Sequence, residues 1–234
     1  MVVALTNTCR STSVFGYFIL CRWPQKGASC IFRFTAPICY YFTPFSMAVF
    51  SRISLITELL DRTELLKANT QTFLRLTDEQ LKQQPGAGAW SISEVYGHLN
   101  LSMDQSIRSI LSRIALAPDT HSDEYSSGWL GDLACTIIMP RPDGSVFKLK
   151  ARKSHTVEPA NIDAREELSV FLRHCDALDD ILRHVATKDL RRITIPFFLP
   201  RLLRLRLGDV LRFLVAHGER HLLQAQRVME AQGS

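Results

Sequence analysis

Two histidines one helical turn apart are the residues of this sequence best suited to chemistry. His217 and His221 lie in a segment whose apolar residues recur in alternating steps of three and four, the spacing of a helix face buried in a bundle. An unpartnered buried imidazole would cost about 1–3 kcal/mol, so both rings need partners. At this spacing the two rings project from one face and can bind a single metal ion. Hydrogen bonds to polar residues of other helices would also satisfy them, and the pair alone does not decide between the two interpretations.

A third nitrogen ligand would complete a metal site, and His98 is the best candidate. It lies beside the apolar face of a second predicted helix, and Gly97 before it leaves room for close approach. Three imidazoles leave coordination positions open, which is typical of a catalytic ion. The hypothesis is therefore a divalent metal site at His98, His217 and His221. His174 and His184 flank the apolar face of the third predicted helix and are expected at the surface. His121 and His155 lie in the long connection and have no partner at ligand spacing.

The segment from His217 to His221 differs from the metalloprotease helix signature. That signature requires Glu directly after the first His, and Gly218 occupies the position here. Glu219 faces about 160° away from His217 on a helix, so we expect it at the surface or behind the site. A general acid or base would have to come from the long connection, where four candidates cluster and none is favoured: Asp119, Asp123, Glu124 and Tyr125.

Four segments have the apolar spacing of amphipathic helices. They cover residues 50–76, 91–117, 163–185 and 207–229. Ser91 followed by Glu94 predicts a capping box at the start of the second helix, and Asp163 begins the third.

The second and third helices are separated by a connection of more than forty residues, 121–162. Two short apolar runs, 136–139 and 146–149, flank a turn-forming Pro-Asp-Gly and weakly indicate a hairpin. Long connections in compact domains are often functional. The pattern predicts an all-α fold, an antiparallel four-helix bundle with one long crossover between helices two and three.

The chain has 234 residues and a formal net charge of +5, but the charge is unevenly distributed. Residues 1–46 contain four basic residues and no acidic ones, which leaves 24 basic and 23 acidic residues for 47–234. A net charge of +1 over the periodic part argues against a nucleic-acid-binding domain. No apolar run approaches the roughly 18 residues of a membrane span.

The first 46 residues are interpreted as a non-functional or disordered extension before a domain at 47–234. A secretory signal or a transit peptide is the alternative, but the cleavage-site pattern is absent and the aromatic content is high. Four of the six cysteines lie in this segment, and only Cys135 and Cys175 lie in the predicted domain. Such sparse cysteines are typical of a cytoplasmic protein, which is the expected location.

Residues 88–99 read Gly-Ala-Trp-Ser-Ile-Ser-Glu-Val-Tyr-Gly-His-Leu, and residues 217–224 read His-Gly-Glu-Arg-His-Leu-Leu-Gln. Together these two stretches resemble the DinB-like superfamily of metal-dependent four-helix bundles. The resemblance covers about residues 47–232, and the two motifs are more specific together than singly. The family's three-histidine cluster corresponds to His98, His217 and His221. Arg220 and Gln224 also belong to its ending, whereas Trp90 is expected to pack at the entrance of the second helix.

The resemblance implies an enzyme that uses a divalent ion, Zn or Ni before Cu or Fe, on a small-molecule substrate. Hydrolysis is one expected reaction, and transfer of a low-molecular-weight thiol is the other because the family includes thiol-dependent S-transferases. The alternative is a non-catalytic metal-binding or dimerising bundle associated with stress response. A homodimer stays open, whereas nucleic-acid and membrane partners are not expected.

Overall fold

The computed structural model describes residues 47–149, 155–159, 162–196 and 203–232. The predicted extension at residues 1–46 lies outside these ranges, so it stays a prediction. The described elements are six helices and four short strands. In chain order they are β1 Val49–Ser51, α1 Arg52–Phe73, α2 Asp78–Lys82, α3 Ile92–Ile114, β2 Glu124–Ser126, α4 Trp129–Ile138, α5 Ala164–Val185, β3 Thr194–Pro196, β4 Arg204–Arg206 and α6 Leu207–Gln232.

Helices α3 and α5 begin where the capping signals predicted. At α3 the Ser91 hydroxyl accepts from the Glu94 N–H at 3.3 Å, and the Glu94 carboxylate accepts from the Ser91 N–H at 2.8 Å. At α5 the Asp163 carboxylate accepts from the Glu166 N–H at 3.1 Å. These bonds satisfy backbone donors that the first helical turn leaves without partners. The all-α prediction is confirmed, since the strands form only two separate antiparallel pairs, β1 with β2 and β3 with β4.

The long crossover decides the direction of the helices. The chain just beyond α3 bonds to the chain just beyond α5, with the Thr120 N–H donating to the Thr187 carbonyl and the Asp189 N–H to that of Pro118, both at 2.9 Å. Asn100 near the start of α3 bonds the Glu167 carbonyl near the start of α5 at 2.8 Å. Helices α3 and α5 are therefore parallel. The crossover returns along the bundle, while α1 and α3, and α5 and α6, are antiparallel.

The crossover contains a helix where a hairpin was predicted. Residues 136–138 belong to α4 and residues 146–149 form no strand, so the hairpin prediction is wrong. The turn at residues 142–144 is present, and Gly144 has a φ of +76°, which favours glycine. Helix α4 packs along the first half of α6, where its apolar face is buried.

The apolar faces of the four long helices form one core. Typical fully buried side chains are Leu59 of α1, Ile110 of α3, Leu178 of α5 and Leu211 of α6. Within the described ranges, no helix is both long enough and apolar enough to cross a bilayer.

A buried carboxylate attaches the crossover to α6. Asp209 is fully buried, and it accepts from the Tyr125 hydroxyl at 2.6 Å and from the Gly128 N–H at 2.9 Å. Burial raises the pKa of Asp209, and these two hydrogen bonds oppose the shift because they favour the carboxylate. Gly131 in α4 lies against the same carboxylate, where a Cβ would fall 2.1 Å from the Asp209 Cγ.

We expect Gly131→Ala to destabilise the fold by about 1–3 kcal/mol, because the new methyl group must displace the hydrogen-bonded Asp209 side chain or shift α4. Urea unfolding would measure the change. Gly86→Ala is the matched control, since a Cβ there meets no heavy atom within 4 Å. Equal stability of the two variants would contradict the packing described for Gly131.

Candidate metal centre

The three predicted histidines meet inside the bundle. His98 comes from α3, and His217 and His221 come from successive turns of α6. All three are buried, and each offers one ring nitrogen to a cluster whose atoms lie within 4.8 Å of one another. The two Nε2 atoms of His217 and His221 are 3.0 Å apart. No other group of three such ligands occurs in the described part of the chain.

The crossover orients the His98 ring. Its Nδ1 lies 2.7 Å from the backbone carbonyl oxygen of His155. A carbonyl oxygen only accepts, so Nδ1 carries the proton and Nε2 keeps its lone pair. The crossover comes this close because residue 97 is glycine: a Cβ there would lie 2.9 Å from a Val157 methyl carbon. The expectation that Gly97 permits close approach is therefore confirmed.

The two α6 histidines differ in their remaining ring nitrogens. The Nδ1 of His221 lies 2.9 Å from the Gln224 side-chain oxygen, so it also donates and leaves Nε2 with a lone pair. The Nδ1 of His217 is buried and has no hydrogen-bond partner among the described residues. Gln224 therefore hydrogen-bonds an imidazole on its own helix.

This donor set fits a divalent ion. Lone pairs of at least two neutral imidazoles are available at one place, where they would repel one another without a shared proton or cation. Two nitrogens bound to one tetrahedral zinc ion lie about 3.3 Å apart, close to the 3.0 Å between His217 and His221. A carbonyl or carboxamide behind a ligating imidazole is the usual way to set its orientation. His98 and His221 both have such a partner.

Burial keeps the three imidazoles neutral. Desolvation lowers the pKa of His98, and the hydrogen bond to the His155 carbonyl only partly opposes it. Desolvation and the neighbouring histidines lower the pKa of His221 to about 3 and that of His217 well below its usual value. Because the neutral form is the one that binds a metal, the site needs no deprotonation near neutral pH.

A cavity of about 790 Å³ opens onto the three histidines. Its size suits a small molecule, and its wall is mainly apolar. Trp90 forms part of the wall, with its ring centroid 5.1 Å from that of His98 and 6.5 Å from that of His221. Trp90 thus packs on the predicted ligands as well as against the core. Helix α4 supplies the largest apolar share of the wall: Leu130, Leu133, Ala134, Ile137 and Ile138.

The acidic residues considered in the sequence have structural contacts elsewhere. Glu219 forms a bidentate ion pair with Arg62 of α1, with N–O distances of 2.6 and 2.7 Å. This agrees with the expectation that Glu219 lies behind the site. Asp123 accepts from the Ile53 N–H at 2.9 Å near the start of α1, and Tyr125 donates to Asp209. No Asp or Glu of the described residues lines the cavity, so the long connection supplies no carboxylate base there.

Sequence reasoning missed two parts of the site. His155 lines the cavity and is buried, although its neighbours in the sequence gave no sign of a partner. Helix α4 did have a signal, since its five cavity-lining residues recur at i, i+3, i+4, i+7 and i+8, a helical period. The strand interpretation of residues 136–139 considered only the end of that run.

We expect the metal-free protein to lose stability as the pH falls from about 6.5 to 5. Unfolded imidazoles bind protons in this range, whereas His221, with a folded pKa of about 3, does not. The stability contributed by the neutral His221 is therefore complete above the unfolded pKa and is lost below it, by about 1–2 kcal/mol over this range. Urea unfolding in a chelator would measure it.

His221→Gln should reduce this loss by about 1–2 kcal/mol. His184→Gln, which removes an exposed histidine from α5, controls for the loss of one imidazole. An unchanged pH dependence in His221→Gln would contradict a neutral buried imidazole at that position.

The comparisons with known proteins agree with the architecture and with the cluster. The model of the DinB superfamily matches residues 62–225, which include α3, the crossover and most of α6. No curated protein and no solved structure matches the chain significantly. The matched range contains all three histidines and more than half of the chain, so the chain belongs to the DinB superfamily.

Proposed function

We propose that this protein is a divalent-metal-dependent enzyme that acts on a small molecule in the cavity between α3, α4 and α6. The observation that carries the proposal is the convergence of three neutral imidazoles on the wall of that cavity. A structural ion is usually enclosed by four protein ligands, whereas three leave a position for a reactant. Zinc and nickel are the proposed ions, because both suit imidazole ligands.

His98, His217 and His221 would hold the ion, each through one ring nitrogen. The His155 carbonyl and the Gln224 side chain keep two of the rings in the required orientation and protonation state. When bound, a divalent ion supplies Lewis-acid chemistry that lowers the pKa of a water molecule or thiol in its open position. The apolar wall excludes bulk water, which strengthens electrostatic interactions within the cavity.

Two reactions use such a site, hydrolysis by an activated water and transfer of a low-molecular-weight thiol to an electrophile. The lining supports either, since the described residues place no carboxylate base in the cavity and the ion can activate the nucleophile by itself. The resemblance to a family that includes thiol-dependent S-transferases supports the second reaction. A low-molecular-weight thiol is therefore part of the proposal as co-substrate.

We expect the purified protein to bind about one Zn²⁺ or Ni²⁺ per chain. At a free ion concentration about 100 times the Kd, binding should raise the free energy of unfolding by about 2.7 kcal/mol. Elemental analysis and urea unfolding with and without the ion would measure both effects. His217→Ala and His98→Ala should each lose both.

The control for these variants is His184→Ala, which removes an exposed histidine on α5. Stoichiometric binding by His98→Ala would show that the ion is held without α3 and would overturn the proposed ligand set.

We expect the metal-loaded enzyme to turn over members of a panel of activated esters or of electrophiles supplied with small thiols. A rate that saturates with thiol concentration indicates transfer, whereas turnover of esters without thiol indicates hydrolysis. His217→Ala should reduce kcat/KM by at least about 100-fold, because the nucleophile loses its activation. Metal binding without turnover across both panels would favour the non-catalytic bundle instead.

A further inference from the structure

The cavity is lined by a cationic side chain, Arg220, for which the described residues provide no carboxylate partner. Arg220 lies between the two α6 histidines in the sequence and lines the cavity. One of its terminal nitrogens, Nη2, donates to the Phe147 carbonyl. The other, Nη1, is buried and has no hydrogen-bond partner among the described residues. Nη1 does not face the open cavity in this conformation, so the Arg220 side chain must turn toward the cavity to bring it to a ligand. A guanidinium matches a carboxylate in shape, and the turned side chain can form such a contact.

The acidic neighbour of Arg220 is committed elsewhere. Glu219 precedes it but pairs with Arg62 of α1, and no ion pair between Arg220 and a described carboxylate exists within 4.0 Å. A buried polar donor left without a partner has lost its hydration without compensation, and the cost is larger when the group is charged. A ligand that supplies the missing acceptor would recover this free energy on binding.

The wall of the cavity has one sign of charge. Its described charged groups are Arg220 and the exposed Arg227, and the proposed ion would add two positive charges. No described acidic residue lines the wall to balance them. A cleft of one sign with an apolar wall attracts ligands of the opposite sign.

We infer that Arg220 is the anion-binding residue of the cavity, and that the enzyme acts on a small molecule with an apolar body and a carboxylate group. The claim that this molecule is a substrate rests on the proposed function, whereas the binding of its carboxylate is independent of the ion. The apolar body lies against α4 and Trp90, and the carboxylate accepts from the Arg220 guanidinium, which turns toward the cavity on binding. A planar carboxylate matches the planar fork of a single guanidinium, so it is the anion proposed for this one arginine.

The test compares 4-phenylbutyrate with its neutral analogue 4-phenylbutanamide by calorimetric titration. We expect the wild-type protein to bind the acid at least about tenfold more tightly than the amide, as a charge-assisted hydrogen bond in an apolar site would produce. Arg220→Gln should remove this preference by weakening binding of the acid and leaving that of the amide unchanged. Arg220→Lys, which keeps the charge without the planar fork, should retain part of it.

Arg227→Gln is the matched control. Arg227 lies on the same helix and, like Arg220, holds the loop at residues 141–149 by donating to a backbone carbonyl, that of Gly144 at 2.7 Å. It should keep most of the wild-type preference, because Arg227 is exposed and solvent screens its charge. An equal loss in Arg227→Gln would assign the effect to the loop and overturn the inference, as would a wild-type protein that does not distinguish acid from amide.

Each titration is run with chelator and with Zn²⁺. A preference present in both conditions and lost in Arg220→Gln supports the inference, even if the protein proves to bind no metal. A preference that appears only with Zn²⁺ and survives in Arg220→Gln would show that the ion binds the carboxylate, and would overturn the role of Arg220. Circular dichroism melts of each variant confirm that it is folded. If Arg220→Gln does not fold, the partial loss expected for Arg220→Lys is the comparison, and an unchanged preference in that variant would overturn the inference.

Discussion

Three imidazoles are buried close together in the low-dielectric interior of a helical bundle, and this constraint governs the rest of the site. Burial opposes a positive charge on any of them, and each ring adds to the cost of charging the others, which is why their pKa values are lowered. Neutral rings with lone pairs at one place repel unless a proton or a cation lies between them. The packing of α3 against α6 thus forms a cluster that could hold a metal ion, in which a proton shared by His217 and His221 otherwise relieves the repulsion.

The partners of the rings divide between the bundle and the crossover. Gln224 is one turn beyond His221 on the same helix, so α6 alone orients that ring. His98 depends on the carbonyl of His155, and that contact requires the absence of a side chain at Gly97, where Val157 packs. The crossover is therefore more than a connection between parallel helices. It supplies a hydrogen-bond acceptor, one wall of the cavity in α4, and a long path that lets α3 and α5 point the same way.

Around the cavity, the charged side chains of the described residues are separated by sign, with positive ones on the wall and the carboxylates outside it. Carboxylates with structural tasks, such as Asp209 and Glu219, lie away from the cavity and are paired there. Within the described lining the charges are positive, so a neutral or cationic substrate would gain little from the site, whereas an anionic one would gain both from Arg220 and from a bound ion. This asymmetry connects the proposed metal chemistry with a class of substrate.

Local spacing determined which residues could act together along one helix. The alternating steps through His217 and His221 and the capping signals at Ser91 and Asp163 identified the helices and two of the three rings, because turns and caps depend on residues only a few positions apart. The motif pair also indicated His98 through its resemblance to a family. Helix α4 was within reach of the same reasoning, since its apolar period is helical, but a short run of residues was taken for a strand.

Contacts between residues far apart in the chain were decided only by the tertiary structure. Nothing near His155 in the sequence indicates that its carbonyl faces His98, and nothing near Trp90 indicates that its ring covers two histidines. The parallel arrangement of α3 and α5, and the pairing that removes Glu219 from the site and leaves Arg220 without a described carboxylate, likewise depend on which helices become neighbours. That choice follows from the packing of all the apolar faces at once, which the spacing within any one segment does not contain.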